Sequence, residues 1–363
     1  MRPDAEKNKN YIMPTKKQNL CRKKTFYRIP VYCIIKSVMF MDKNIYDNAM
    51  KCQKSWNRSQ RLVTMLTKRA VPDNIAYRKA VPYSEGEREV MNIFCKKDTK
   101  KKRPLFIYIH GGGWLSGEID MRNGYVCAFA KMGFFAVSID YTLSPQAVYP
   151  TQIQQCFKAV DFLYDNAEKY HIDTNNVLVV GESAGVHYVM HMVAYCKERS
   201  LYDKIGIDFK HKNEFDIKAV IAHSGAVSID NFCNPEKPQS KIPNIDISMQ
   251  GYFGKTEREL SAWLKTDEAR YATPKITADF PPIFFAWAKN DGYRFDTFDM
   301  IQDAEKHNVK FTQFEGKGIL SNHALSIMLC FKGSKKCLEK TLDFILPLFD
   351  NYFYKSGGWK MKE

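Results

Sequence analysis

The stretch that most constrains this chain is Gly181-Glu182-Ser183-Ala184-Gly185, a serine between two glycines at the end of an apolar run. The run, Val177-Leu178-Val179-Val180, is β-branched and uninterrupted, as a short strand buried on both faces should be. After it come Val186-His187-Tyr188-Val189-Met190-His191-Met192-Val193-Ala194-Tyr195, long and apolar enough for a buried helix. Strand, tight G-x-S-x-G turn and helix together predict a nucleophile elbow. A strained turn brings backbones close, and a Cβ at either glycine would clash. Such a turn lifts the Ser183 hydroxyl clear of the sheet. It also puts the Ala184 N–H at a helix N-terminus, where it can stabilise an oxyanion. By itself the pattern also fits a serine in an ordinary strand-to-helix loop, so the decision rests on what lies upstream.

Upstream, Pro104–Ile109 reads as a strand running directly into His110-Gly111-Gly112-Gly113-Trp114. Glycines at that point let backbone N–H groups approach a carbonyl oxygen closely. A glycine run after a strand can also cradle phosphate, but the Lys and Ser/Thr of a P-loop are missing. His110 sits at the sheet edge of this loop and is expected to fix it by hydrogen bonding.

Strands and helices alternate through the rest of the chain. Phe134–Ile139, Ile217–Ala222, Ile283–Trp287 and Val309–Phe314 read as strands. Gln152–Tyr170, Ala184–Cys196, Phe295–His307 and Lys335–Phe349 read as helices. Two earlier strands, Ile75–Tyr83 and Glu89–Phe94, are joined by the turn Ser84–Gly86 and should pair antiparallel. The expected fold is α/β: a mostly parallel central sheet with helices on both faces and an antiparallel pair at its leading edge. The interval Ser228–Phe280 is too long for a simple connection and carries its own bulky residues, among them Met249, Tyr252, Phe253, Trp263 and Tyr271, with two helix-like stretches. It is expected to form a cap over the elbow together with the helical pattern before residue 70. The domain reading is a basic tail over 1–28, a helical cap segment over 29–73 and a catalytic domain over 74–354, with the cap insertion at 228–280.

With 363 residues and 45% hydrophobic content, one large core is affordable. The net charge is +15, and residues 1–28 hold nine Lys or Arg against two acids. No basic helix with interleaved aromatics and no zinc-finger spacing accompanies this charge, so nucleic acid is not an expected partner. The ten cysteines are irregularly spaced without a C-x-x-C pair. Several lie inside apolar helical patterns as small hydrophobes, which points to a reducing compartment and a cytoplasmic location. Ile29–Phe40 is broken by Lys36 and too short to span a bilayer, so no integral membrane segment is expected. Nor does it have the position or the small-residue cleavage site of a signal peptide. Nothing in the sequence sets an oligomeric state.

With elbow and glycine loop in view, residues 74 to 350 resemble an α/β-hydrolase of the carboxylesterase branch related to hormone-sensitive lipase. His110–Trp114 looks like the oxyanion motif of that branch. Asp140-Tyr141-Thr142-Leu143-Ser144-Pro145 is similar to its D-Y-x-L-x-P motif, although Thr142 and Gln146 stand where arginine and glutamate are usual. The first 70 residues lie outside the resemblance. It implies a triad in the order serine, acid, histidine. Asp291, just after the strand Ile283–Trp287, fits the acid, with Asp296 as the nearest competitor at the start of a helix. Of the eight histidines, His323 alone lies shortly after the last strand, in the polar turn Ser321-Asn322-His323. His307 falls in the last turn of a helix, where a cation is favourable. His187 and His191, four apart, lack the intervening glutamate and third ligand of a zinc site. The implied machinery is Ser183, His323 and Asp291, with oxyanion donors at Gly111, Gly112 and Ala184, acting through an acyl-enzyme without cofactor or metal. The expected substrate is a small-molecule ester with a short or acetyl acyl group. Two alternatives stay open. One is an arylformamidase-type amide hydrolase, because His110-Gly111-Gly112-x-Trp114 also looks like the motif of those enzymes. The other is a binding protein that kept the fold and lost catalysis.

Overall fold

A computed structural model describes residues 41–67, 70–97, 100–317, 322–355 and 359–361. The basic tail and Ile29–Phe40 therefore lie outside the described residues, as does Ser321. The first described element is a helix, α1 (Lys43–Thr67), followed by strands β1 (Ile75–Pro82), β2 (Val90–Lys96) and β3 (Arg103–Ile109). Helix α2 (Asn123–Met132) leads into β4 (Phe135–Ile139), and helices α3 (Thr151–Asp165) and α4 (Ala167–Tyr170) lead into β5 (Ile172–Glu182). After the elbow come α5 (Ala184–Lys197), a short α6 (Arg199–Tyr202) and β6 (Ala219–His223). The long interval holds α7 (Ile229–Cys233), α8 (Ile245–Phe253) and α9 (Glu257–Trp263). The chain then continues through β7 (Ile283–Ala288), α10 (Arg294–Lys306), β8 (Phe311–Gly316) and α11 (Lys332–Ile345).

The eight strands form one sheet in the order β1-β2-β4-β3-β5-β6-β7-β8. β1 pairs antiparallel with β2, and β2 antiparallel with β4; every later pairing is parallel. Period-two alternation assigns side chains to two cores. Leu105, Ile107 and Ile109 of β3 join Val177 and Val179 of β5 against α3, α5 and α10. Phe106 and Tyr108 join Leu178 and Val180 against α2 and α11. Both faces are covered, so the stretches Leu105–Ile109 of β3 and Val177–Val180 of β5 are buried and apolar, and each fully buried Val, Leu, Ile or Phe contributes about 1.5–3 kcal/mol.

Several boundaries differ from the sequence reading. The helix expected over Gln152–Tyr170 breaks after Asp165, where the Asn166 side-chain amide donates to the Phe162 carbonyl at 2.8 Å. Helix α2 was legible only as the apolar helical pattern around Cys127, without bounds, because Asn123-Gly124 opens it without a side-chain cap. The long interval forms three short helices in place of two helix-like stretches. Within the described residues, the helical pattern before residue 70 is the single helix α1. It packs on α8, where a Cβ at Gly251 would stand 2.9 Å from Ala49 Cβ and from Leu115, so only glycine allows this approach. Among the described residues, no helix is long and apolar enough to cross a membrane.

Candidate active site

The parallel strands carry their C-terminal ends to one edge of the sheet, where ligands bind in open α/β folds. β5 ends at Glu182, and Ser183 follows with φ 54° and ψ −123°, a left-handed backbone rarely adopted by a non-glycine residue. The flanking glycines are sterically required. A Cβ at Gly181 would stand 2.5 Å from the Val186 nitrogen, and one at Gly185 would stand 2.2 Å from the Ile109 carbonyl oxygen. The turn is pinned from the neighbouring strand, the Ser183 N–H donating to the His223 carbonyl at 2.8 Å.

Asp291 lies just beyond β7 and is fully buried. Its carboxylate oxygens are 3.0 and 2.9 Å from His323 Nδ1, and the Tyr293 N–H donates to Oδ1 at 2.9 Å. Burial pushes the Asp291 carboxyl up, but the His323 imidazole and the surrounding donors outweigh it, and the net shift is downward. Burial pulls His323 down, the Asp291 charge overrides it, and the net shift is upward. The Tyr293 ring centroid lies 4.6 Å from that of the imidazole, the two planes tilted by 38°. Asp296, the competing acid, faces elsewhere. It is buried at the start of α10 and accepts the N–H groups of Val227 and Ser228, where the long interval begins. Burial raises it to about 6 despite those donors.

The glycine loop wraps over this edge. Gly111 is packed against the elbow, where a Cβ would stand 2.5 Å from the Glu182 carbonyl oxygen and 2.8 Å from Ser183 Cβ. Gly112 (φ 128°) and Gly113 (φ 58°) border a cavity of about 620 Å³, together with Ser183, Asp291 and His323. Gly112 and Gly113 thus line the cavity, and Gly111 lies directly beside Ser183. His110 places one ring nitrogen 2.8 Å from the Gly111 carbonyl and the other 3.1 Å from the Asp140 carboxylate, and Tyr141 OH donates to the His110 carbonyl at 2.7 Å.

Where Thr142 and Gln146 replace the usual arginine and glutamate, neutral pairs stand in. Gln155 exchanges two hydrogen bonds with Thr142, at 2.8 and 2.9 Å. Gln146 pairs reciprocally with Gln53 of α1, at 3.0 and 2.9 Å, and Gln53 also donates to the Ser144 carbonyl at 2.9 Å. Asp140 takes its ion pair from Arg88 at 2.6 Å.

Three groups of residues were not legible as site components. The first is the buried pair behind the nucleophile. Arg122 Nη2 lies 2.5 Å from Glu182 Oε1, and Tyr108 OH donates to Oε2 at 2.6 Å. Burial pushes the Glu182 carboxyl up, but Arg122 outweighs it and the carboxyl stays below its usual range. The glutamate stands in the elbow motif, but nothing in the sequence around Arg122 marks its partner. The second is α1, whose Trp56 lies against Gly113 and lines the cavity, and whose Asn57 accepts the Gly117 N–H at 3.1 Å. The i, i+3, i+4, i+7 stripe Trp56, Ser59, Gln60 and Val63 lines the cavity, but it mixes apolar and polar residues, none of them fully buried, and so gives no address in the sequence. The third is the histidine pair on α5. His187 accepts from Trp114 Nε1 at 3.3 Å through Nδ1 and places Nε2 2.7 Å from the Ala272 carbonyl. Both ring nitrogens are engaged by protein groups, and burial lowers His187 to about 4, so it is a neutral strut between glycine loop and insertion.

Residues 91–293, more than half of the chain, match the family model described as BD-FAE. The acetyl esterase of Salmonella paratyphi A is 25% identical over 213 residues, 55% of this chain and 59% of that protein. An AB hydrolase superfamily protein of Schizosaccharomyces pombe is 36% identical over 85 residues, 23% of this chain and 24% of that protein. The chain thus spans between about a quarter and three fifths of the curated relatives it matches. Among solved structures, esterase B of Lactobacillus rhamnosis superimposes with a TM-score of 0.70 at 18% identity, covering 85% of this chain and 97% of that one. At that identity the likeness establishes the fold. With the mostly parallel eight-stranded sheet and the matched family model, the chain belongs to the BD-FAE family and has the α/β-hydrolase fold.

Proposed function

We propose that this protein is a serine carboxylic-ester hydrolase that acts on acetyl or other short-chain esters through Ser183, His323 and Asp291. The observation that carries this reading is the His323 imidazole, held by the buried Asp291 carboxylate at 2.9 Å in the same cavity as the strained Ser183. A serine hydroxyl is a weak nucleophile at neutral pH and needs such a base. His323 takes the Ser183 proton as Oγ bonds to the ester carbonyl carbon. The tetrahedral oxyanion is received by the N–H groups of Gly111, Gly112 and Ala184. Collapse breaks the bond to the alcohol, which leaves with the proton from His323. Water, deprotonated by the same imidazole, then attacks the acyl-enzyme and releases the acid and free Ser183. These residues complete both half-reactions themselves.

The name of the Salmonella relative and those of the solved neighbours support an esterase reading. A volume of about 620 Å³ is in the range of sites that enclose one small molecule, so acyl and alcohol halves share it. Trp56 and Val63 of α1 and Pro238, Ile242 and Pro243 of the long interval line it, which supports the reading of those two segments as a cap. The test is a chain-length series of p-nitrophenyl esters beside N-formylkynurenine, with Ser183→Ala as the blank. The expected maximum lies between acetate and butyrate. A maximum at decanoate would sink the short-chain assignment. Turnover of the formamide alone would replace the ester reading with the amidase one, and no turnover from folded protein would leave only the binding-protein alternative.

A further inference from the structure

Helix α1 turns one face to the cavity and leaves the other to solvent. Lys51, Lys54, Arg58, Arg61, Leu62 and Met65 are all exposed. At 3.6 residues per turn they fall within an arc of about 100°, opposite Trp56, Gln60 and Val63 of the cavity wall. Along the helix, Lys43, Lys51, Lys54, Arg58 and Arg61 stand against a single acid, Asp47. Arg61 approaches Glu118 at 3.6 Å, and among the described residues no carboxylate pairs with Lys51, Lys54 or Arg58. Leu62 is 53% and Met65 66% exposed. Single exposed apolar side chains are ordinary, but these are not scattered. The other large apolar side chains exposed among the described residues are Phe298 and Phe331. Phe298 stands one helical turn after Phe295, and the Phe331 N–H donates to the Met328 carbonyl at 3.2 Å. Phe295 and Met328 line the cavity, as does Val63 beside Leu62. All four exposed apolar side chains therefore stand within one turn of the cavity wall.

We propose that the outer face of α1 docks on an anionic lipid surface, its cations over the headgroups and Leu62 and Met65 inserted among them. The cations occupy the earlier turns of the stripe and the apolar pair its end, so the C-terminal end of the helix sits deepest. Charge complementarity selects this occupant. The chain carries +15, and residues 1–28, ahead of α1, add nine Lys or Arg against two acids. A nucleic acid rewards cations alone and leaves Leu62 and Met65 in water, whereas an acidic lipid surface takes both. In that pose only α1, about 10 Å across, separates the cavity from the surface, which brings esters dissolved there close to Ser183. Docking itself needs no triad.

The experiment is co-sedimentation of the full chain with vesicles of phosphatidylcholine alone and with vesicles holding about 30% phosphatidylserine. Wild type should sediment with the second and not the first, and be released by about 0.5 M NaCl. Arg58→Glu with Arg61→Glu, and separately Leu62→Ser with Met65→Ser, should each weaken partitioning at least about tenfold. Met65→Ser alone, the mildest change, should lose about threefold and remains informative where a double variant does not fold, as circular dichroism would show. The control is Lys212→Glu with Lys310→Glu, an equal charge change. Both lysines are exposed in the segments leading into β6 and β8, at the opposite edge of the sheet, and this pair should lose less than about threefold. Turnover of dissolved p-nitrophenyl acetate should not change in any variant, because none of the four α1 residues lines the cavity. Absence of phosphatidylserine-dependent binding would overturn the proposal. So would wild-type binding by both α1 double variants, which assigns attachment to the basic residues ahead of the helix, or an equal loss in the control, which assigns it to net charge. Loss in the arginine pair without loss in the Leu62 and Met65 pair would point to a soluble polyanion and overturn it too. Binding is read without turnover. Vesicle binding as expected from a chain that hydrolyses no ester would therefore sink the esterase reading and leave the docking face standing.

Discussion

Replacing Asp291 with asparagine tests the proposed site most directly, because it keeps the shape and removes the charge. The imidazole Nδ1 is 2.9 Å from the nearer carboxylate oxygen, which puts the centres of opposite charge roughly 4 Å apart in the imidazolium state. At an effective dielectric constant of about 20, two unit charges at that distance attract by about 4 kcal/mol. His323 is about one-third exposed, so solvent screening lowers that figure. Against this, the asparagine amide can present N–H to Nδ1 and favour the wrong tautomer, which adds to the loss. The two together predict a fall in kcat/KM of about 10³- to 10⁴-fold, or roughly 4–5.5 kcal/mol at 1.36 kcal/mol per decade. The pH profile gives an independent sign. The base works only when neutral, and Asp291 raises the His323 pKa. Wild-type kcat/KM should therefore be lost as pH falls through a value above the ordinary imidazole pKa of about 6.5. In Asp291→Asn the attraction is gone while burial of the ring remains, so the acid limb should move to lower pH. The assay is kcat/KM for p-nitrophenyl acetate between pH 4.5 and 9. More than a tenth of wild-type activity, or an acid limb that stays in place or moves up, would refute the pairing.

Ser183→Ala should lose at least about 10³-fold in turnover without a change in circular dichroism, and an organophosphate should label wild-type protein at Ser183 alone, as peptide mass spectrometry would show. Asp296→Asn should lower the melting temperature, because the buried side chain holds the Val227 and Ser228 N–H groups, while leaving the acid limb of the pH profile unmoved. Trp56→Ala removes an indole from the cavity wall beside Gly113, and should shift the chain-length preference to longer acyl groups while lowering kcat on acetate; an unchanged series would remove α1 from the specificity argument. Gly185→Ala sets a methyl group 2.2 Å from the Ile109 carbonyl, a contact no side-chain rotation relieves, and should give little folded protein in a thermal melt.

Local chemistry alone marked the elbow and the glycine loop. Both depend on backbone conformations that few residues tolerate, so Gly181, Gly185 and Gly111–Gly113 carry their steric requirement in their identity. The alternation of buried strands and amphipathic helices settled the doubly covered sheet for the same reason, since period two and period 3.6 are readable over a few residues. The partners of those motifs were decided by tertiary structure. Asp291 and Asp296 are five residues apart and chemically identical, and only the turn after β7 aims one at His323 and the other at the start of the long interval. Arg122 meets Glu182 across 60 residues, and Gln53 meets Gln146 across 93, through contacts that leave no periodic trace in the chain. The closure of the cavity by Trp56 belongs to this second kind, because an amphipathic helix states which face it buries and not what it buries that face against.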